Sequence, residues 1–287
     1  MEIESSASPD SMSFLRELVY RRSAIVLHPE KAYLFDSRLA PLAREVGLGS
    51  VDELVGKIRR EDTGTPLVRR VIEAMTTNET LFFRDLHPFE ALKTRILPEV
   101  IRARSAQRSL RIWCAAASTG QEPYSIAMTV REHFPELATW DVKVIASDIN
   151  RTVLERAREG VYRQSEVNRG LPTPMLVKYF ERQGADWGVK PVIKQMVRFI
   201  ELNLLEAWTA IGPQDIVFMR NVLLYFDVET KRRLLARVRH LLPHDGFLVL
   251  GGAETASNVD DNYVPVKIGG GVYYQIQAPA RVPRCGG

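Results

Sequence analysis

Five short apolar runs, all after Arg108, constrain this chain more than any other feature. They cover residues 110–115, 142–146, 197–202, 215–219 and 247–250. Helical patterns lie between them at 123–134, 152–158 and 229–242. Runs that are apolar at nearly every position belong to strands covered on both faces, and alternation with helices supplies that cover. The expectation is an α/β fold with a mostly parallel, doubly wound sheet. Residues 263–276 read as a closing hairpin through Gly269-Gly270-Gly271, which adds an antiparallel edge. Between 162 and 194 the alternation breaks at Gly170, Pro172, Pro174, Gly184, Gly188 and Pro191. This spacing predicts a short helix over 174–181 and then a small hairpin, an insertion spanning about 163–196.

The first quarter of the chain has a different period. Phe14, Leu15, Leu18 and Val19 recur at helical spacing, and His28-Pro29 ends that pattern. A second apolar stripe carries Leu34, Leu39, Leu42 and Val46 and stops at Gly47. Ser50-Val51-Asp52-Glu53 has the form of a capping box that opens a third helix, and Thr65-Pro66 opens a fourth. Residues 13–76 are therefore expected to form a small all-helical domain, 77–108 a linker, and 109–277 the α/β domain. Residues 1–12 are expected as a disordered leader and 278–287 as a tail.

Of the 287 residues, 45% are hydrophobic and 26% charged, which suits a globular chain. No 18-residue apolar span suggests a membrane helix, and the polar N-terminus lacks the apolar stretch of a secretory signal. The two cysteines, Cys114 and Cys285, have neither metal-ligand nor disulfide-framework spacing, so no metal is expected and the chain reads as cytoplasmic. A net charge of +4 and a pI near 9.1 suit an acidic protein partner as well as nucleic acid. Arginine is spread along the chain and forms no basic tail, so no nucleic acid partner is expected.

In open α/β sheets, ligands bind beyond the carboxyl ends of the strands. After the first strand comes Ala116-Ala117-Ser118-Thr119-Gly120-Gln121-Glu122. Its single glycine leaves it without the G-x-G-x-x-G dinucleotide fingerprint, which argues against a nicotinamide oxidoreductase. Glu122 suits a ligand, but Thr119-x-x-Glu122 also has the form of a capping box. Asp148 ends the second strand and suits ribose hydroxyls or a helix N-cap equally. Asn203-Leu204 follows the third strand, as a turn or as a clamp on a flat ring. Arg220-Asn221 and Tyr225 follow the fourth, where a salt bridge and a helix cap are the plain alternatives. A polar cluster at the domain junction, residues 76–85, holds Asn78, Thr80 and Arg84 beside Phe82 and Phe83, and from composition alone reads as an ordinary interdomain linker that packs Phe82 and Phe83 into the core.

The order of these segments carries a resemblance. TNETLFFR (77–84), WCAAASTGQEPYSI (113–126), Ala146-Ser147-Asp148-Ile149, Asn203-Leu204-Leu205, Arg220-Asn221-Val222 and Tyr225-Phe226-Asp227 together resemble the chemotaxis receptor methyltransferases, the CheR family. The likeness covers nearly the whole chain. It implies a class I (Rossmann-like) methyltransferase domain that transfers a methyl group from S-adenosylmethionine to receptor glutamates and releases S-adenosylhomocysteine. It places Asn78, Thr80 and Arg84 over the cofactor, and Glu122 at the methionine ammonium. Asp148 would take the ribose hydroxyls, and Asn203 and Leu204 would flank the adenine. Arg220 and Asn221 would line the methionine end, and Tyr225 would face the reacting centre. The implied nucleophile, a carboxylate with a reference pKa of about 4.3, is ionised without a general base. The protein's task is then alignment and exclusion of water. Tyr225 is expected to orient the substrate carboxylate and Arg84 to position the cofactor.

The implied partners are the acidic cytoplasmic helices of methyl-accepting chemoreceptors, with Arg16, Arg59, Arg60, Arg69 and Arg70 as complementary charge. No membrane insertion is expected, and a monomer is favoured. Gly184-Ala185-Asp186-Trp187-Gly188 departs from the Gly-rich loop by which some family members hold a receptor's C-terminal pentapeptide, so no such tether is expected. The alternatives are a methyltransferase of the same fold acting on another substrate, such as RNA, or in another signalling pathway, and a non-catalytic cofactor-binding regulator.

Overall fold

The computed structural model describes residues 7–61 and 64–277. The tail over 278–287, with Cys285, and residues 1–6 of the expected leader lie outside the described residues. The first helix, α1 (Pro9–Ser23), starts before the expected Ser13, so residues 9–12 are helical and not part of a leader. Its signal is compact: Ser8 accepts from the Ser11 amide at 3.3 Å, Pro9 holds the first turn, and Asp10 complements the dipole. The helix also stops earlier than His28-Pro29, because Ala24 turns left-handed at φ 57°. No glycine or proline marks that stop. It turns Ser23 and Ile25 toward the rest of the molecule.

The other bundle helices are α2 (Tyr33–Glu45), α3 (Val51–Arg60) and α4 (Pro66–Met75). Ser50 accepts from the Glu53 amide at 3.1 Å, while Glu53 reaches back to the Gly49 amide at 2.8 Å, one residue beyond the usual box partner. Leu15, Val19, Leu39, Leu54, Ile58 and Val71 form the bundle core, and Ile149 of the next domain packs onto it. The segment expected as linker is partly helical: α5 (His87–Ala91), a π-helical stretch over Leu92–Ile96, and α6 (Leu97–Ala103). Phe89, Leu92, Ile96 and Val100 are buried against the sheet, so this half is core.

The α/β domain runs β1 (Ser109–Ala115), α7 (Gln121–His133), β2 (Asp141–Asp148), α8 (Arg151–Glu159), β3 (Val161–Tyr162), α9 (Gln164–Val167), α10 (Thr173–Tyr179), β4 (Phe180–Gln183), β5 (Asp186–Val189), α11 (Pro191–Lys194), β6 (Val197–Glu201), β7 (Ile216–Met219), α12 (Val228–Arg239), β8 (Phe247–Leu250), β9 (Tyr263–Ile268) and β10 (Gly271–Ile276). The main sheet has the order β6-β2-β1-β7-β8-β10-β9. Its first five strands are parallel, and β10 lies antiparallel between β8 and β9. The five apolar runs are continuous for the expected reason. Ile112, Cys114, Val144 and Phe218 face the α5–α7 side, while Trp113, Ala115, Val217 and Met219 face the α12 side. Cys114 stands level with Ala146 on one side and Phe218 on the other, so β1, β2 and β7 open their loops at one edge.

The insertion holds the expected hairpin, β4–β5, and a third strand, β3, pairs with β5. A strand of two residues after the left-handed Gly160 is too short to show any period. Phe82 of the junction segment packs edge-on against Tyr162 at 4.9 Å and Phe180 at 5.5 Å. Gly170, at φ +84°, lies so close that a Cβ would stand 2.0 Å from the Phe82 carbonyl oxygen. Gly170→Ala therefore forces the insertion off the junction segment. Urea unfolding is expected to show a loss of about 1–3 kcal/mol; an unchanged midpoint would contradict this packing.

Candidate active site

A cleft of about 880 Å³, partly open to solvent, lies across the carboxyl ends of β1, β2, β6 and β7. β1 and β7 are the neighbours at which the strand order reverses, the usual ligand position in such sheets. All ten candidate residues line this cleft.

Asp148 accepts from the amides of Ser118 at 2.8 Å and Asn150 at 2.9 Å, one on each oxygen. It does not cap α8; Asn150 does, accepting from the Val153 amide at 3.3 Å. Burial raises the Asp148 pKa above the ordinary carboxylate value, and the amide hydrogen bonds oppose that rise. Two acceptor sites of the carboxylate are left for a ligand.

The capping-box alternative for Glu122 does not hold. Gly120 is the α7 N-cap, and the Thr119 hydroxyl turns instead to the Gln121 side chain at 2.8 Å. Glu122 accepts from the Cys114 thiol at 2.8 Å and from Arg220 Nη1 at 2.6 Å. Burial, with the Glu122 charge beside it, pushes the Cys114 thiol well up, so it is a donor and not a nucleophile. Arg220 also donates through Nη2 to the Arg84 carbonyl at 3.0 Å and to Asp85 Oδ2 at 2.7 Å. Its side chain is 1% exposed, and its Nε has no hydrogen-bond partner among the described residues. Glu122 and Asp85 thus share one guanidinium.

The junction segment is pinned over the cleft. Ser118 Oγ donates to the Asn78 carbonyl at 2.8 Å, and the Phe83 amide donates to Ser125 Oγ at 3.0 Å. Phe82 and Phe83 are buried while Asn78, Thr80 and Arg84 line the cleft, so the core and ligand readings hold side by side. Arg84 Nη1 donates to the Glu79 carbonyl at 3.0 Å. Asn203 spends its amide on backbone: Nδ2 donates to the Arg22 carbonyl at 2.7 Å, and Oδ1 accepts from the Leu205 amide at 3.0 Å. It thereby ties the end of α1 to the β6 loop. Tyr225 is half-buried; its carbonyl accepts from the Val26 amide at 2.8 Å, and its hydroxyl has no hydrogen-bond partner among the described residues. Ala116, Ser118 and Asn221 take positive φ at 57°, 51° and 57°. Such backbone is strained for residues with a Cβ and gathers where function needs a particular approach. Sequence reading missed Asp85, Ser118 as an anchor, the Cys114 thiol and Glu254. Asp85 and Ser118 stand beside named residues; Glu254 had no local signal.

Comparison with known proteins decides the family. The family model described as "CheR methyltransferase, SAM binding domain" matches residues 78–270, and "CheR methyltransferase, all-alpha domain" matches residues 10–76. "Chemotaxis protein methyltransferase 1" of Pseudomonas aeruginosa is 42% identical over 94% of this chain and 99% of its own length. "Chemotaxis protein methyltransferase Cher2" of Pseudomonas putida is 40% identical over 91% of this chain and 95% of its own. This chain belongs to the CheR methyltransferase family. It is an S-adenosylmethionine-dependent methyltransferase with a class I domain behind an all-helical one. Among solved structures, magnesium protoporphyrin IX methyltransferase from Synechocystis matches at a TM-score of 0.36 and 14% identity, over 95% of this chain and 98% of that one.

The lining fits S-adenosylmethionine. The Glu122 carboxylate suits a cationic amino acid end, and Asp148, each of whose oxygens accepts from one amide, suits vicinal hydroxyls. Ile149, Leu202, Leu204, Val222 and Phe226 supply apolar walls that would suit a flat base. Asp148→Ala is expected to weaken S-adenosylhomocysteine binding about 10- to 100-fold by calorimetry, the worth of a hydrogen bond to a charged group. Wild-type affinity is expected to fall on acidification from a pH above the ordinary carboxylate range, because protonating the raised-pKa Asp148 removes an acceptor. Unchanged binding by the variant would contradict the role.

Proposed function

We propose that this methyltransferase acts in the cytoplasm and methylates glutamate side chains on the cytoplasmic helices of chemoreceptors, producing glutamate methyl esters. The observation that carries this reading is the composition of the cleft: no histidine, lysine or cysteine is among its lining residues. Of its three carboxylates, Asp148 is held by amides and Glu122 by Arg220 and Cys114, while Glu79 is exposed and lies 4.0 Å from Arg169. A hydroxyl or ammonium nucleophile would need a base here, whereas a carboxylate is ionised at neutral pH.

When bound, S-adenosylmethionine supplies a methyl group on a cationic sulfur. The chain's own residues hold, align and enclose. Asn78, Thr80 and Arg84 cover the cleft, and Arg220 and Asn221 form its floor. Tyr225, with a free hydroxyl, donates one hydrogen bond to the incoming carboxylate. A neutral donor orients the nucleophile without gripping its charge as a second arginine would. Excluding water favours a step in which opposite charges approach and cancel.

The mouth of the cleft suits a helical protein. Leu224, Val228 and Tyr20 are exposed near it, Tyr20 Oη donates to Asp227 at 2.7 Å, and α12 begins there with Lys231, Arg232 and Arg233 in its first turns. The bundle arginines are less open than their sequence positions suggest. Arg59 pairs with Asp10 at 2.8 Å, Arg69 with Glu201 at 3.9 Å, and Arg70 with Glu45. Exposed pairs of this kind are worth about 1 kcal/mol or less, so receptor carboxylates can replace them. The β4–β5 hairpin turns through Gly184-Ala185, with Arg182 stacked 4.6 Å from the Trp187 ring, and we read it as a closed cap that takes no receptor tether.

Two outcomes follow. Tyr225→Phe is expected to lower kcat on a receptor cytoplasmic fragment about 10- to 100-fold, with S-adenosylhomocysteine affinity nearly intact; full turnover would remove the orienting role. A receptor lacking its last five residues is expected to be methylated as fast as the intact one, and a large rise in KM on truncation would restore the tether.

A further inference from the structure

Glu254 lies half-buried in the loop after β8, outside every role assigned above. Its carboxylate collects three backbone amides. Oε2 accepts from Asn221 at 2.7 Å and from Gly251 at 2.8 Å, and Oε1 accepts from Leu224 at 3.1 Å. Two of these amides belong to the β7 loop, which carries Arg220, Asn221 and Tyr225; the third belongs to the β8 loop. The two loops touch closely. A Cβ on Gly251 would stand 2.7 Å from Glu254 Oε2 and 2.8 Å from Asn221 Nδ2, so only glycine fits. Asn221 is held at φ 57°, a conformation that persists only where its surroundings over-determine it. The Leu224 amide lies within the single 3₁₀ turn Leu223–Tyr225, next to Tyr225 itself.

We propose that Glu254 is a positioning residue for methyl transfer: its carboxylate fixes the backbone of residues 221–225 and thereby aims the Tyr225 hydroxyl at the substrate carboxylate. This rests on the role given to Tyr225 above. The two oxygens divide the work. The Oε2 contacts fix Asn221 at the cofactor floor, and the Oε1 contact fixes the turn that carries Tyr225. A neutral amide side chain keeps one carbonyl oxygen for the first pair, but its NH₂ group cannot accept from Leu224. Glu254→Gln therefore separates the two functions, and Glu254→Ala removes both.

The test compares wild type, Glu254→Gln, Glu254→Ala, Tyr225→Phe and the double variant Glu254→Gln/Tyr225→Phe. For Glu254→Gln the expected result is a kcat on a receptor cytoplasmic fragment lowered about tenfold, with S-adenosylhomocysteine affinity within about twofold of wild type. Hydrogen exchange at the Leu224 amide speeds up while that at Asn221 stays slow. Glu254→Ala loses protection at both amides and weakens cofactor binding as well. In the double variant the two kcat losses do not add, because both act through one hydroxyl. Additive losses, or an unchanged kcat in Glu254→Gln, would overturn the proposal. If wild type itself fails to methylate the receptor fragment, the functional reading falls, and unchanged exchange at Leu224 in Glu254→Gln would separately overturn the clamp.

Discussion

The Arg220 guanidinium, enclosed between Glu122, Asp85 and the Arg84 carbonyl, is the contact on which the cleft depends. A charge buried to 1% exposure is tolerated only with well-placed partners, and the contact joins three places in the chain. Arg220 follows β7, Glu122 opens α7, and Asp85 lies in the junction segment. One side chain therefore ties the parallel sheet to the segment that roofs it. The Cys114 thiol takes the other Glu122 oxygen and completes the arrangement from β1. The same side chain thus shapes the cleft and holds the junction segment over it.

The second constraint is the joint between the domains. Asn150 Nδ2 donates to the Glu73 carbonyl at 3.2 Å and to Thr76 Oγ1 at 3.1 Å, and the Arg151 backbone N–H donates to Glu73 Oε1 at 3.1 Å. Asn203 holds the end of α1, and Tyr225 holds Val26 through its carbonyl. The bundle is thus fastened to both rims of the cleft, and Ser23 and Ile25 become part of its wall. A substrate that presses on the bundle presses on the site.

These features differ in how far they could be read in sequence. The five strands were legible because burial on both faces makes them uniformly apolar. The stop of α1 at Ala24 was not, since an alanine in left-handed backbone leaves no mark. Nor was β3, two residues long, or the helical nature of residues 87–103, which a linker reading hid. The ten candidate residues were found from motifs occurring in order, and the structure brings them to one cleft. Taken singly they did not decide: Glu122 looked like half of a capping box, and Asp148 suited a helix N-cap as well as ribose hydroxyls. Their actual partners lie far along the chain, as Arg220 does from Glu122 across 98 positions and Glu254 from Asn221 across 33. Local pattern carries no information about such contacts.

A sheet edge that supplies hydrogen-bonded carboxylates, loops that bring backbone close, and a lining without histidine, lysine or cysteine suit an aligner of charges. The central claim is that the acceptor is a carboxylate. The most direct measurement is the alkali lability of the transferred methyl group. The protein is incubated with methyl-labelled S-adenosylmethionine and a receptor cytoplasmic fragment, and the labelled product is treated with mild base. Release of the label as volatile methanol, from peptides whose modified residues are glutamates, is the predicted result. Label that survives base, as on nitrogen or an ether oxygen, would contradict the account.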